Sequence, residues 1–368
     1  MSGRLRLRRG VVAGEDPLTV EIDGERRPAW ADTALLGEMR EGDEVVVNVA
    51  AVELGLGSGG FDVVHVNLTR GLEAGPTAAG ADGDEPPHVI KLNYTSIQHP
   101  VDPVEAVELR RISSPMGNKT AAPAVLVLPL HGHLAPAAWA LPPNMDGSAG
   151  EDADRGEHLV VGYVQTGGGA LPGSMSRDVA ELRERGLLAG HITAAPAYGG
   201  EHEAISVCGA LDGARRLGWD VALVGPGPGI IGSNSEFGHG GMAALDSAHA
   251  ALALGMPTML SPRLSSSDPR ERHAGLSHHT YTVLELLLAP VDVAVPQGEE
   301  EIAAALEEAP GGHRLCSAAA DLDGYAAAGL PARTMGRGIE EDPLFFAAPL
   351  AAGAALRDAA GAALRRKG

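Results

Sequence analysis

The chain has 368 residues, enough for one large domain or two ordinary ones, and 44% of them are hydrophobic, so it can bury a substantial core. Aromatics make up only 3%, which leaves that core to Ala, Val and Leu, while 50 glycines and 26 prolines exclude a helical bundle. A net charge of −20 opposes binding to nucleic acid or to an anionic membrane surface. The basic opening of the chain, around Arg6, Arg8 and Arg9, alternates with leucine and reads as an edge strand with charged edges. No apolar run follows it, as a signal peptide requires, and no stretch approaches the roughly 18 apolar residues of a transmembrane helix. A cytoplasmic location is the expectation. β-Branched runs over 11–22, 44–51, 61–68 and 88–94, broken by turn residues, predict a small OB- or SH3-like barrel within a first domain of residues 1–115. The glycine-rich segment 54–60 reads as a connection that needs positive φ. Two acidic Ala/Gly/Pro-rich stretches, 73–87 and 142–157, read as mobile.

From residue 116 to 368 the pattern changes to short apolar runs alternating with helical segments. Strands are expected over 125–130, 159–165, 187–194, 221–224, 258–261 and 291–295. Helices are expected over 135–141, 176–185, 201–217, 241–254 and 281–288. The alternation predicts a mostly parallel, doubly wound α/β domain. It closes on an Ala-rich helix over 342–366 that Pro349 should kink or split. Cys208 falls inside a helix and reads as core; with Cys316 it makes two buried thiols in a reducing compartment, and no C-x-x-C motif is present.

Ligands bind open parallel sheets beyond the carboxyl ends of the strands, and the unusual residues fall there. The loop 225–241 carries Gly225, Gly227, Gly229 and Gly232, with Gly168 and Gly200 at two other strand ends. Its glycines suit close approach to a phosphate or carboxylate, although it lacks the Gly-Lys-Ser/Thr of a P-loop and Pro226 and Pro228 spoil a dinucleotide fingerprint. A packing role explains the same glycines. The stretch 268–280 is denser in chemistry. Asp268-Pro269-Arg270-Glu271 reads as a helix start with Asp268 as its cap. Arg270, Arg272, His273, Ser277, His278 and His279 exceed what a cap needs and point to anion binding and acid/base work. Ser277 suits an N-cap. His131 and His133, two apart in an expected extended backbone, are candidate metal ligands. Arg337 lies between two glycines as an anion clamp or a partner of the acids nearby. Ser176 reads as a cap.

Several of these motifs occur together: Gly168-Gly169-Ala170-Leu171-Pro172 with Ser176-Arg177, Tyr198-Gly199-Gly200 with Glu203-Ala204, Gly225-Pro226-Gly227, Arg272-His273 with Ser277-His278-His279, and Thr334-Met335-Gly336-Arg337-Gly338 with Glu341-Asp342. As a set, and with Lys91-Leu92-Asn93-Tyr94-Thr95 near the barrel, they resemble the DUF3866 family of actinobacterial proteins across nearly the whole chain. The resemblance implies no activity, because the family is one of unknown function. Three places depart from the expected pattern: Ser233-Asn234-Ser235, His239 where a small residue is expected, and Gly132-His133.

The leading reading is an enzyme acting on a small phosphorylated or carboxylated metabolite. In it His278 or His279 is the acid/base, oriented by Asp268 or Glu203, with Arg270, Arg272 or Arg337 on the anion. Two alternatives stay open: a non-catalytic ligand-binding or scaffold protein whose barrel binds a partner, and a metal-dependent hydrolase. The motifs name no cofactor, and homo-oligomerisation is left open.

Overall fold

A computed structural model of the chain describes residues 5–56, 59–72, 89–106, 122–141 and 159–365. The two stretches expected to be mobile, 73–87 and 142–157, lie outside the described residues. Two compact units result, Met1–Val101 and Asp102–Gly368; the expected boundary at 115/116 lies outside the described residues. Residues 102–106 belong to the second unit: the Val104 N–H donates to the Glu203 carbonyl, and the Val104 side chain joins that unit's core.

In the first unit β1 (Leu7–Glu15), β2 (Leu18–Ile22), β3 (Glu25–Trp30), β4 (Glu44–Asn48) and β5 (Asp62–Asn67) close a barrel in the order β1-β2-β3-β5-β4. Every second residue points inward, and Val12, Val20, Ile22, Val45, Val47 and Val64 form the core. Single helical turns, α1 (Thr33–Leu36) and α2 (Ala50–Glu53), fill two connections. The basic N-terminal strand is not an edge: β1 pairs with both β2 and β4. The expected run 11–22 divides into β1 and β2 at the turn before Leu18. β3 was not legible, because Glu25, Arg26, Arg27 and Pro28 give no apolar alternation. Gly55, Gly59 and Gly60 take positive φ in the connection expected to need it. An antiparallel pair, β6 (Val89–Lys91) with β7 (His99–Val101), ends the unit.

The second unit is built on eight parallel strands. These are β8 (Ala124–Val127), β9 (Val161–Thr166), β10 (Gly190–Ala194), β11 (His202–Ala204), β12 (Val221–Pro226), β13 (Thr258–Leu260) and, beyond a small antiparallel pair of β14 (Leu264–Ser265) with β15 (Gly275–Leu276), β16 (Asp292–Pro296) and β17 (Arg314–Ala318). Their spatial order is β11-β10-β9-β12-β8-β13-β16-β17. A second short pair, β18 (Arg333–Thr334) with β19 (Arg337–Gly338), follows. The helices are α3 (Leu134–Ala140), α4 (Arg177–Glu184), α5 (Val207–Arg216), α6 (Ala243–Ala253), α7 (His278–Leu286), α8 (Glu300–Glu307), α9 (Leu322–Ala327) and α10 (Pro343–Arg365). The inner strands are apolar on both faces, as a sheet covered on both sides requires. Val125, Val127, Val164, Ile192 and Val224 pack into one core with α5, α6, α7 and α8. Leu126, Leu128, Tyr163, Leu223 and Met259 pack into the other with α3, α4, α9 and α10.

Several local expectations are corrected. The helix expected over 201–217 is a short strand followed by α5, because Ser206 caps the helix through the Gly209 N–H and leaves 202–204 to pair with β10. Cys208 is therefore in the first turn of α5 and exposed, not core; Cys316 is half-buried, and both are free thiols. No helix starts at Asp268: its carboxylate accepts from the Arg270 N–H in a turn, and only a three-residue 3-10 turn, Glu271–His273, follows. His131 and His133 lie in a 3-10 turn, not an extended segment, so their rings do not share a strand face. α10 runs unbroken past Pro349, where burial of Phe345, Phe346 and Leu350 outweighs the missing N–H. α7 starts three residues earlier than expected, with Ser277 as its cap. Among the described residues no helix is long and apolar enough to cross a membrane.

Gly162 in β9 has Trp219 packed flat on it, so a Cβ there would overlap the indole ring. Trp219 is buried and has nowhere to retreat. Gly162→Ala is expected to cost about 1–3 kcal/mol by overpacking, measured as a lower urea midpoint with an unchanged slope.

Candidate functional site

Chain order and spatial order together locate the crevice of this sheet. From β8 the chain steps outward through β9, β10 and β11, returns to place β12 between β9 and β8, then proceeds the other way through β13, β16 and β17. The direction reverses around β9, β12, β8 and β13, the switch point beyond whose strand ends a doubly wound sheet takes its ligands.

Two excursions meet there. The loop 227–240 leaves β12 and folds back on itself, with Gly232 bridged to His239 and Ser233, Ser235 and Gly238 tied by hydrogen bonds. Glycines seat it against the loop after β9. A Cβ on Gly168 would overlap the Gly240 carbonyl, one on Gly169 would overlap the Gly227 carbonyl, and one on Gly227 would overlap the Ala170 carbonyl. The other excursion leaves β13 at Ser261-Pro262-Arg263, passes through β14, Asp268 and the 3-10 turn, and returns by β15 to Ser277. It closes where the Ser277 N–H donates to the Arg263 carbonyl (3.0 Å) and the Arg263 N–H to Thr280 Oγ1 (2.7 Å). Arg272 Nη2 donates to Asn234 Oδ1 (2.9 Å), linking the two excursions.

Four histidines gather between them. The His239 and His279 rings stack at 3.5 Å and 6°; His278 lies edge-on to His279 at 4.4 Å, and His273 lies 4.8 Å from His279 and 5.0 Å from His278. One ligand atom from each of His239, His278 and His279 lies within 4.8 Å of the others. Two of the rings are held. His273 Nδ1 is 2.7 Å from Ser277 Oγ, and Arg263 Nη1 donates to His279 Nδ1 at 2.9 Å, which places the proton of the neutral His279 ring on Nε2. The other two are not held. His278 Nε2 and both ring nitrogens of the buried His239 make no hydrogen bond among the described residues, and the Glu236 carbonyl faces His239 outside hydrogen-bond geometry. Arg272 Nε is buried without a partner as well.

The field in the cleft is basic. Asp268, 1% exposed, is the hub: Arg270 grips it with two bonds (2.8 and 2.7 Å), while Arg263 and Arg337 stand 3.7 and 3.8 Å away. The hydrogen bonds from Arg270 hold its carboxyl far below the usual range despite burial. Asp342, fully buried, accepts from Ser265 Oγ (2.7 Å), the Ser266 N–H (2.8 Å) and Arg337 Nε (3.1 Å). Three guanidinium groups thus face two buried carboxylates, with that of Arg272 nearby on Asn234. Burial first, and the arginines second, push His273 down to about 3 and His279 further still. Burial and then Arg272 lower His278; burial and then His278 lower His239. All four imidazoles are neutral near pH 7.

The family model described as a protein of unknown function (DUF3866) matches residues 28–353. The chain belongs to the DUF3866 family. No curated protein and no solved structure matches it.

In this DUF3866 protein the residues singled out from sequence divide into two groups. Asp268, Arg270, Arg272, His273, Ser277, His278, His279 and Arg337 come together in the cleft. Glu203 does not: it sits on β11, three inter-strand spacings or about 14 Å from β12, bonded to Thr193 Oγ1 (2.8 Å) and the Gly199 N–H (2.6 Å). Gly225 and Gly200 have packing reasons, meeting Leu128 and Thr193; Gly229 takes a positive φ in open space, and Gly232 stands opposite His239. His131 Nε2 lies 2.7 Å from Ser176 Oγ, the cap of α4, and His133 Nδ1 lies 3.0 Å from Ser261 Oγ, so each ring has a structural partner. Three cleft residues were missed. Arg263 lies beyond β13 on the way to Asp268 with no motif of its own, and Asp342 falls at the start of the expected C-terminal helix. His239 stood out only as a departure from the expected pattern, and no local motif connects it to His278, which is 39 residues further on.

Proposed function

We propose that the α/β unit is an enzyme domain whose histidine–arginine cleft binds a small phosphorylated or carboxylated metabolite, with His239 and His278 exchanging protons with it. The observation that supports this reading is the set of unpartnered buried nitrogens on His239, His278 and Arg272. A buried polar atom without a partner costs about 1–3 kcal/mol, and an oxygen-rich anion relieves several at once. The surplus of guanidinium favours an anion within a chain whose overall charge is negative. A neutral imidazole accepts a proton from a hydroxyl or water and returns it to a leaving group. His279 is held to Arg263 and orients that guanidinium; Asp268 gathers the arginines. We place the protein in the cytoplasm on its two free thiols, Cys208 and Cys316.

The test is a thermal-shift screen of inorganic phosphate and of phosphorylated and carboxylated metabolites. A ligand at about 100 times its Kd should stabilise the protein by about 2.7 kcal/mol. Arg272→Ala, and a double variant His239→Ala/His278→Ala, should lose that stabilisation while keeping the parent's circular dichroism. Equal shifts in parent and variants would remove the cleft from consideration.

A further inference from the structure

We propose that His239, His278 and His279 hold one divalent transition-metal ion, bound together with the anion of the proposed function, on which this inference rests. Among the described residues these three side chains are the group whose ligand atoms lie close enough, within 4.8 Å of one another, to share an ion. Three neutral imidazoles with an open fourth position are a ligand set that suits zinc or cobalt, and the open position takes an oxygen of a substrate. His131 and His133 belong to no group of three such ligand atoms among the described residues.

Three features bear on how the ion binds. The stacked rings of His239 and His279 keep their lone pairs in two parallel planes, with ring centroids 3.5 Å apart, so one ring must tilt before both point at the same ion. His239 turns at the loss of no hydrogen bond, since neither of its nitrogens makes one. His279 ligates through Nδ1 once Arg263 releases it, and Arg263 then closes on Asp268, whose Oδ2 already stands 3.7 Å from its Nη2. The arginines repel a cation brought in alone. An anion between them and the ion offsets that repulsion, so ion and anion should tighten each other's binding, as linkage requires.

The experiment titrates the chelator-treated full chain with Co²⁺, with and without inorganic phosphate, reading the visible bands of tetrahedral cobalt and the stoichiometry by calorimetry. The expected result is one ion per chain, with affinity raised by phosphate on the order of tenfold, inside the usual range of coupling between two sites. The bands should disappear in His239→Ala and persist in His131→Asn. Absence of the bands in both conditions, or equal cobalt binding by parent and His239→Ala, overturns the metal site. Bands that need His239 but ignore phosphate overturn the coupling. Phosphate stabilisation of the metal-free protein that Arg272→Ala abolishes would leave the proposed function standing where the ion fails; if phosphate stabilises neither form, that reading fails with it.

Discussion

Between pH 7 and pH 5 the α/β unit is expected to lose stability steeply. Burial lowers His131 to about 4 and His133 to about 3; burial with the arginines lowers His273 to about 3 and His279 further. In the unfolded chain each returns to about 6.5. Below that value the unfolded state binds protons the folded state refuses, so stability is complete above pH 6.5 and falls as the pH drops through it. The loss continues down to the folded values, from about 4 for His131 to about 2 for His279. Each histidine contributes about 1.4 kcal/mol per pH unit, and four together contribute on the order of 5 kcal/mol per unit, against a total of about 5–15 kcal/mol for a typical domain. Urea unfolding followed by circular dichroism at pH 7.5, 6.5 and 5.5 should show the midpoint collapsing. A midpoint that stays level across this range would mean that the rings protonate without hindrance in the folded state.

Asp268→Asn should be the most damaging conservative change in the cleft. It keeps the shape of the side chain and removes the charge that Arg263, Arg270 and Arg337 share. Deleting one partner of a buried ion cluster costs about 3–5 kcal/mol, because the remaining charges stay desolvated. In a unit of this size that is on the order of 10 °C in Tm. Arg314→Ala is the control: its pair with Asp292 is on the surface, with the Arg314 side chain 74% exposed, and should be worth no more than about 1 kcal/mol. A drop for Asp268→Asn no larger than for Arg314→Ala would show that the cluster is not what holds the excursion after β13. The Asp268 contribution also separates from the histidines by pH. Its carboxyl is depressed in the folded state, so its stabilisation is present above the usual carboxylate range and is lost only as the pH falls below it.

The layers of this molecule were legible wherever burial imposes a period. The apolar runs of β8, β9, β12 and β16, and the helices after the first three, stand out because both faces of a parallel sheet must be apolar, whereas α8 after β16 did not stand out. β11 and β17 did not stand out. His202-Glu203-Ala204 and Arg314-Leu315-Cys316-Ser317-Ala318 are edge segments, one face half-solvated and neither rich in β-branched residues. The arginine–histidine stretch 270–279 was legible because its chemistry is concentrated in sequence. His239 and Asp342 were not, because they reach the cleft from loops and a helix start that only tertiary folding brings near. The glycines of the β12 loop were legible as special but not in their role. A backbone that touches backbone and one that touches phosphate leave the same residue in the sequence.

The barrel and the large sheet leave different amounts of backbone open to another chain. β1 is flanked on both sides and the β3–β5 pair, at Ala29–Asp62 and Trp30–Val63, closes the ring, so the barrel presents little open edge to an extended segment. In the large sheet, β11 is bridged by Pro103 and shielded by the Val104 N–H, which leaves β17 as the margin with no second strand neighbour among the described residues. That margin carries Arg314, locked to Asp292 of β16. A charged side chain on a short terminal strand discourages sheet-to-sheet fusion and amyloid-like stacking. In a chain whose core is mostly alanine and valine, resistance to aggregation therefore depends on how its strands end as well as on how they pack.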